Sequence, residues 1–119
     1  MENKYIVFNS RTEFLRFDVD KIVYLEGDGN YTHIVTINKL KGTVCVNLSQ
    51  MEKAIAEQLG SDSRVFMRIG KRFIVNTSFI YQISVQNQQL VLSDYLNFAF
   101  RIGVSKEALK KMKELIIVR

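Results

Sequence analysis

Apolar positions along this chain first keep a period near two, then switch to helical spacing, return to strand-like runs, and end on a second helical stretch. Tyr5–Phe8 predicts a short strand and Asn9–Thr12 a polar turn. Glu13–Phe17 alternates, but Phe14 falls on the opposite side from Leu15 and Phe17, so its inward face is left open. After a polar interruption at Asp18–Lys21, Ile22–Leu25 is an apolar strand. Glu26–Asn30 (EGDGN) has the glycine, aspartate and asparagine content of a hairpin loop, and Tyr31–Ile37 resumes as a strand rich in β-branched residues. Asn38–Gly42 turns the chain and Thr43–Leu48 runs it back, an antiparallel meander.

From Ser49 to Leu59 the spacing becomes helical. Leu48, Met51, Ile55 and Leu59 share one face while Glu52, Lys53 and Glu57 turn away. Ser49 with Glu52 three residues on predicts a capping box, and Gly60 a stop. The Met and Leu stripe predicts core. Beyond it, Phe66–Asn76 (FMRIGKRFIVN) reads as strand, turn and strand, with Arg68, Lys71 and Arg72 grouped around Gly70 as a basic tip. Phe79–Val85 and Gln89–Leu92 predict a hairpin around Gln86–Gln88. In Asn97–Gly103, Phe98, Phe100 and Ile102 alternate with Ala99 and Arg101. Ser105 can cap a final helix through about Ile117, with Leu109, Met112 and Ile116 inward and Lys106, Lys110, Lys111 and Lys113 in water. The architecture is mainly β, with one or two helices alongside.

A length of 119 residues predicts one domain, residues 1–119, built on one core, and the absence of proline and of low-complexity runs leaves no linker. Hydrophobic content of 47% against 24% charged is ordinary for a globular chain, whereas the net charge of +5 favours an anionic partner such as nucleic acid or an acidic lipid surface. The lone Cys45 cannot form an internal disulfide, and no signal peptide or apolar run near the roughly 20 residues of a membrane span is present, so the expected address is cytoplasmic with no membrane insertion.

Convergent reactive groups are not evident. His33 sits within a β-branched strand, and Cys45 reads as a small buried hydrophobe inside another. Neither has metal-ligand neighbours at a recognised spacing, and Gly27-Asp28-Gly29 lacks the rest of a phosphate loop. Glu26 and Asp28 could pair as acid and base, but fit a hairpin loop better. The expectation is no catalysis, no cofactor and no metal. Polar or basic side chains do gather at three loop ends: Asn30–His33, Lys71–Arg72, and Ser105–Lys106 with Lys110. Lysine and arginine contacts to phosphates give sequence-independent affinity, and groups that reach base edges give specificity. A solvated surface accounts for each cluster alone; only their assembly on one face would favour binding.

Four blocks, in order, resemble the LytTR family of bacterial DNA-binding domains. They are IVYLEGDGNYTHIVT (Ile22–Thr36), the LSQMEKAIAEQL helix (Leu48–Leu59), VFMRIGKRFIVNTSFIYQI (Val65–Ile83) and Gly103-Val104-Ser105-Lys106. The resemblance covers nearly all of the chain from Ile22 onward. It implies an elongated, antiparallel, multi-sheet β domain of about ten strands with a helix beside it. It also implies loops, not a helix-turn-helix, entering successive major grooves of double-stranded DNA in a transcriptional regulator. By the same resemblance, Tyr31 and Thr32 match a DNA-contacting loop end, Lys71 a base- or phosphate-reading position, and Lys106 a basic contact from the far end. Arg68 and Asn76 match patterned positions with structural roles, one anchoring the sheet and one fixing a turn. Arg72 and Lys110 are phosphate candidates from charge.

The chain departs from the family where His-Arg-Ser is usual, showing Gly70-Lys71-Arg72 instead. Lysine keeps the charge but loses the planar, two-pronged grip on guanine, which opens a reading role for Arg72. Lys106 stands where arginine is common. Many such domains follow a receiver domain, whereas residues 1–21 read as this domain's own opening strands. A stand-alone regulator and the output end of a longer response regulator in a two-component system both fit, the first needing control by expression or a partner such as a membrane regulator. Two copies on repeated half-sites, as a homodimer on DNA, are expected. The competing class is a non-catalytic β-rich protein-interaction module.

Overall fold

The computed structural model describes residues 4–117, so the ends of the expected 1–119 domain lie outside the described residues. Its strands are β1 (Tyr5–Asn9), β2 (Phe14–Asp18), β3 (Ile22–Asp28), β4 (Tyr31–Thr36), β5 (Lys41–Val44), β6 (Phe66–Ile69), β7 (Phe73–Asn76), β8 (Ile80–Ser84), β9 (Gln89–Ser93) and β10 (Ala99–Gly103), with helices α1 (Leu48–Leu59) and α2 (Lys106–Ile117). They form a five-stranded sheet in the order β5-β4-β3-β7-β6, a three-stranded sheet β10-β9-β8 and the pair β1-β2. Every pairing is antiparallel. The molecule measures 45 × 35 × 26 Å.

The five-stranded sheet is covered on both faces, and two cores replace the single one expected from length. On one face Ile22, Leu25, Ile34, Val44 and Ile74 pack with Ile6, Phe17 and the α1 stripe Leu48, Met51, Ile55 and Leu59. On the other, Val23, Ile69, Phe73 and Val75 pack with Leu90 and Leu92 of β9, Ile102 of β10, and Leu109 and Met112 of α2. Strand β7 is buried at all four positions, as a strand covered on both sides must be. The register of β3 against β4 shifts between Ile22 and Tyr24. This bulge inserts one residue and lets Ile22 and Leu25, three apart, serve the same core.

Several local expectations change. The capping box of α1 is Asn47 with Gln50, whose side chains and backbone amides exchange hydrogen bonds of 2.8 and 2.9 Å, not Ser49 with Glu52. Strand β5 stops at Val44 rather than running to Leu48, because Leu48 already opens the helix. Cys45 therefore lies beyond the strand and is exposed, not buried. Glu26 and Asp28 belong to β3, leaving only Gly29 and Asn30 as the turn, with Gly29 at φ +60°. The ambiguous β2 turns Phe14 to solvent and Phe17 inward.

The β1-β2 pair is tied to α1 by Gln58, whose side-chain amide accepts from the Val7 amide at 2.9 Å and donates to the Val7 carbonyl at 3.0 Å. On the β2 side, a methyl group at Gly42 would sit 2.5 Å from the buried Phe17 ring. Phe17 is itself packed edge-on against Phe8 and has little room to yield. Gly42→Ala is expected to lower stability by about 1–3 kcal/mol, the usual cost of overpacking, read as a lower urea midpoint at unchanged slope.

Candidate nucleic-acid interface

Three segments meet at one end of the five-stranded sheet. The β3–β4 hairpin ends in the Gly29-Asn30 turn between the register partners Asp28 and Tyr31. Strands β6 and β7 pair Ile69 with Phe73, so Gly70, Lys71 and Arg72 form the connecting loop, entered through Gly70 at φ +59°. The Gly27 amide donates to the Arg72 carbonyl at 2.7 Å and locks the two loops side by side. Helix α2 begins beside them: the Ser105 hydroxyl accepts from the Ala108 amide at 3.3 Å, and a Cβ at Gly70 would lie 3.9 Å from that of Ala108. Lys71, Ser105 and Lys111 line one shared hollow.

Within this end the expected contacts fare differently. Tyr31 is 49% exposed, and Lys71, Arg72 and Lys106 project into solvent. Lys110 is also exposed, one turn along α2, and borders Val85 near the β8–β9 turn. Thr32 is a correction. It is fully buried, facing the α1 side, with its hydroxyl bonded to the Val46 carbonyl at 2.8 Å, so its side chain cannot meet DNA. It fixes the segment leading into α1 instead.

The basic tip is also smaller than its sequence suggests. Arg68 turns back onto α1, reaching Glu52 at 3.1 Å and Ser49 at 3.4 Å, and it donates to the carbonyls of Gly70 and Lys71 at 3.2 and 3.4 Å. It thereby straps the loop to the helix. Arg72 pairs with Glu26 of β3, and its guanidinium lies 5.6 Å from the centre of the Phe73 ring. Lys71 makes no side-chain hydrogen bond or ion pair among the described residues. Asn76 is 2% exposed; its amide donates to the Ile22 carbonyl at 2.9 Å and accepts from the Ser78 amide at 2.9 Å, at the exit from β7.

A polar row continues across the sheet. Register places His33 opposite both Glu26 and Thr43. Its Nδ1 lies 2.8 Å from the Thr43 hydroxyl and its Nε2 3.0 Å from the Asp28 carboxylate. Two residues before Glu26 on β3, burial and then the negative charge of Glu26 push the Tyr24 hydroxyl above its usual pKa. The role of Glu26 escaped sequence reasoning, because its partner is 46 residues away and no local pattern joins them. Among the described residues no group of three or more His, Cys, Asp or Glu side chains could hold a metal ion. No helix there is long and apolar enough to cross a membrane.

The model of the LytTr DNA-binding domain family matches residues 12–117. The chain belongs to the LytTR family. Among solved structures, it is similar to a LytTr DNA-binding domain from Bacillus cereus, with a TM-score of 0.66 and 23% identity over 95% of this chain and 96% of that one. That likeness speaks to the fold, and it agrees with the mainly β arrangement of three antiparallel sheets and two helices. No curated protein matches the sequence. Membership of LytTR makes this a DNA-binding domain of transcription regulation.

Proposed function

We propose that this LytTR domain binds duplex DNA sequence-specifically, with Tyr31, Lys71, Arg72, Lys106 and Lys110 as its contacts and loops, not a helix, entering successive major grooves. The observation that carries this reading is the meeting of the β3–β4 hairpin, the Gly70–Arg72 loop and the start of α2 at one end of the sheet. Separate basic clusters would each be ordinary solvated surface; adjoining ones form a patch that a phosphate backbone can follow. The Bacillus cereus neighbour is described as part of a methyl-accepting/DNA response regulator. It favours the output end of a response regulator over a stand-alone factor for this chain, in a bacterial cytoplasm.

Lys71 and Lys110 separate reading from attraction. Lys71→Ala is expected to weaken specific binding by roughly 1–3 kcal/mol if Lys71 reads a base, with a far smaller change on random DNA. Lys110→Ala should instead reduce the slope of log affinity against log salt by about one. Equal losses on both duplexes after Lys71→Ala would reassign it to phosphate. Fluorescence anisotropy against the gene's own upstream duplex and a scrambled one, at two salt concentrations, tests the whole reading. Tight, salt-sensitive preference for the upstream duplex supports it. Absence of binding to either duplex at low salt favours a protein-interaction module, for which Tyr81, Tyr95 and Leu96 offer an apolar cluster, 57%, 81% and 86% exposed.

A further inference from the structure

We propose that Glu26 is a positioning residue: it presents the Arg72 guanidinium for base reading and so sets sequence discrimination, an inference that rests on the DNA-binding surface described above. An acid at that surface is otherwise a liability, because a carboxylate beside phosphates repels them. Glu26 is placed by the sheet, not by chance. It is the register partner of Phe73, the residue following Arg72, and its side chain is 30% exposed while that of Arg72 is 68% exposed.

Arg72 is thus fixed at three points. Its carbonyl accepts from Gly27, its Nη2 donates to Glu26, and its guanidinium rests against the Phe73 ring. A guanidinium carries five N–H donors in a rigid fork, so one bond to Glu26 leaves others to meet the O6 and N7 acceptors of guanine. Holding the fork in place before binding removes the ordering that a free arginine would need. The acid therefore exchanges some general attraction to DNA for a directed contact.

The test begins with duplexes selected from a random pool by the wild-type protein. Affinities for the selected and a scrambled duplex are then compared for wild type, Glu26→Gln, Arg72→Ala and the double variant at one salt concentration. Glu26→Gln is expected to bind scrambled DNA as tightly as wild type or tighter, while the selected-to-scrambled ratio falls roughly tenfold. In the Arg72→Ala background the same change should leave the ratio where it is. Glu26→Asp, which keeps the charge but shortens the reach, should also lower the ratio, and thermal unfolding of each variant separates this from loss of fold. Equal tightening on both duplexes in Glu26→Gln, or an undiminished effect without Arg72, would overturn the positioning role while leaving DNA binding intact. Failure of the pool to enrich any duplex would remove the DNA-reading surface and this inference together.

Discussion

Asn76→Ala is expected to destabilise the domain by roughly 2–4 kcal/mol, since the buried Ile22 carbonyl and the part-buried Ser78 amide lose a partner at once. The Ile22 carbonyl and the Ser78 amide each meet the Asn76 side chain at 2.9 Å, and Asn76 is 2% exposed. A methyl group satisfies neither, and each stranded group costs about 1–3 kcal/mol in desolvation left uncompensated. Asn76→Asp should keep the bond from Ser78 and lose the one to Ile22. Urea unfolding would check both, with a lowered midpoint at constant slope as the expected result. A midpoint for Asn76→Ala indistinguishable from wild type would show that the side chain only fills space.

Ile74→Ala, two residues back on the same strand, should cost about 2–5 kcal/mol, the range for truncating a large buried aliphatic side chain. Ile74 is 2% exposed and lies in the α1-side core, with Leu25 opposite it on β3 and Arg68 on β6. Against the 5–15 kcal/mol total typical of a domain, that is a large share. Thermal unfolding followed by circular dichroism would report it. An effect below about 1 kcal/mol would mean that the layer collapses readily around the gap. Both variants act on β7, the strand that leaves the Gly70–Arg72 loop, yet neither touches a proposed DNA contact. Below their melting temperatures they should therefore retain the wild-type preference for selected DNA.

What the sequence made legible was whatever repeats locally. The α1 stripe of Leu48, Met51, Ile55 and Leu59 is read from its period and is buried as read. The alternation of Phe98, Phe100 and Ile102 likewise placed β10 against its core. The α1 cap was displaced because Asn47 with Gln50 and Ser49 with Glu52 have the same spacing, and only the fold shows that Glu52 is engaged by Arg68. Pairs distant along the chain were illegible for the same reason. No periodicity connects Glu26 to Arg72 or buries Thr32 beneath Val46, and both depend on how hairpins dock. The second core was signalled locally only by the apolar run Phe73–Val75 in β7, too short on its own to show cover on both faces. For the interface, sequence showed which side chains carry charge; the fold decides which of them are already engaged.

Gln58 carries a consequence for behaviour outside the folded state. A side-chain amide that bonds both the N–H and the C=O of Val7 stands in for a neighbouring strand one residue long. The outer margin of β1 is thereby closed to recruitment by another chain. Fraying of the last turn of α1 would uncover that margin, so the propensity of this domain to aggregate should follow the stability of one helix end, independently of the loops proposed to contact DNA.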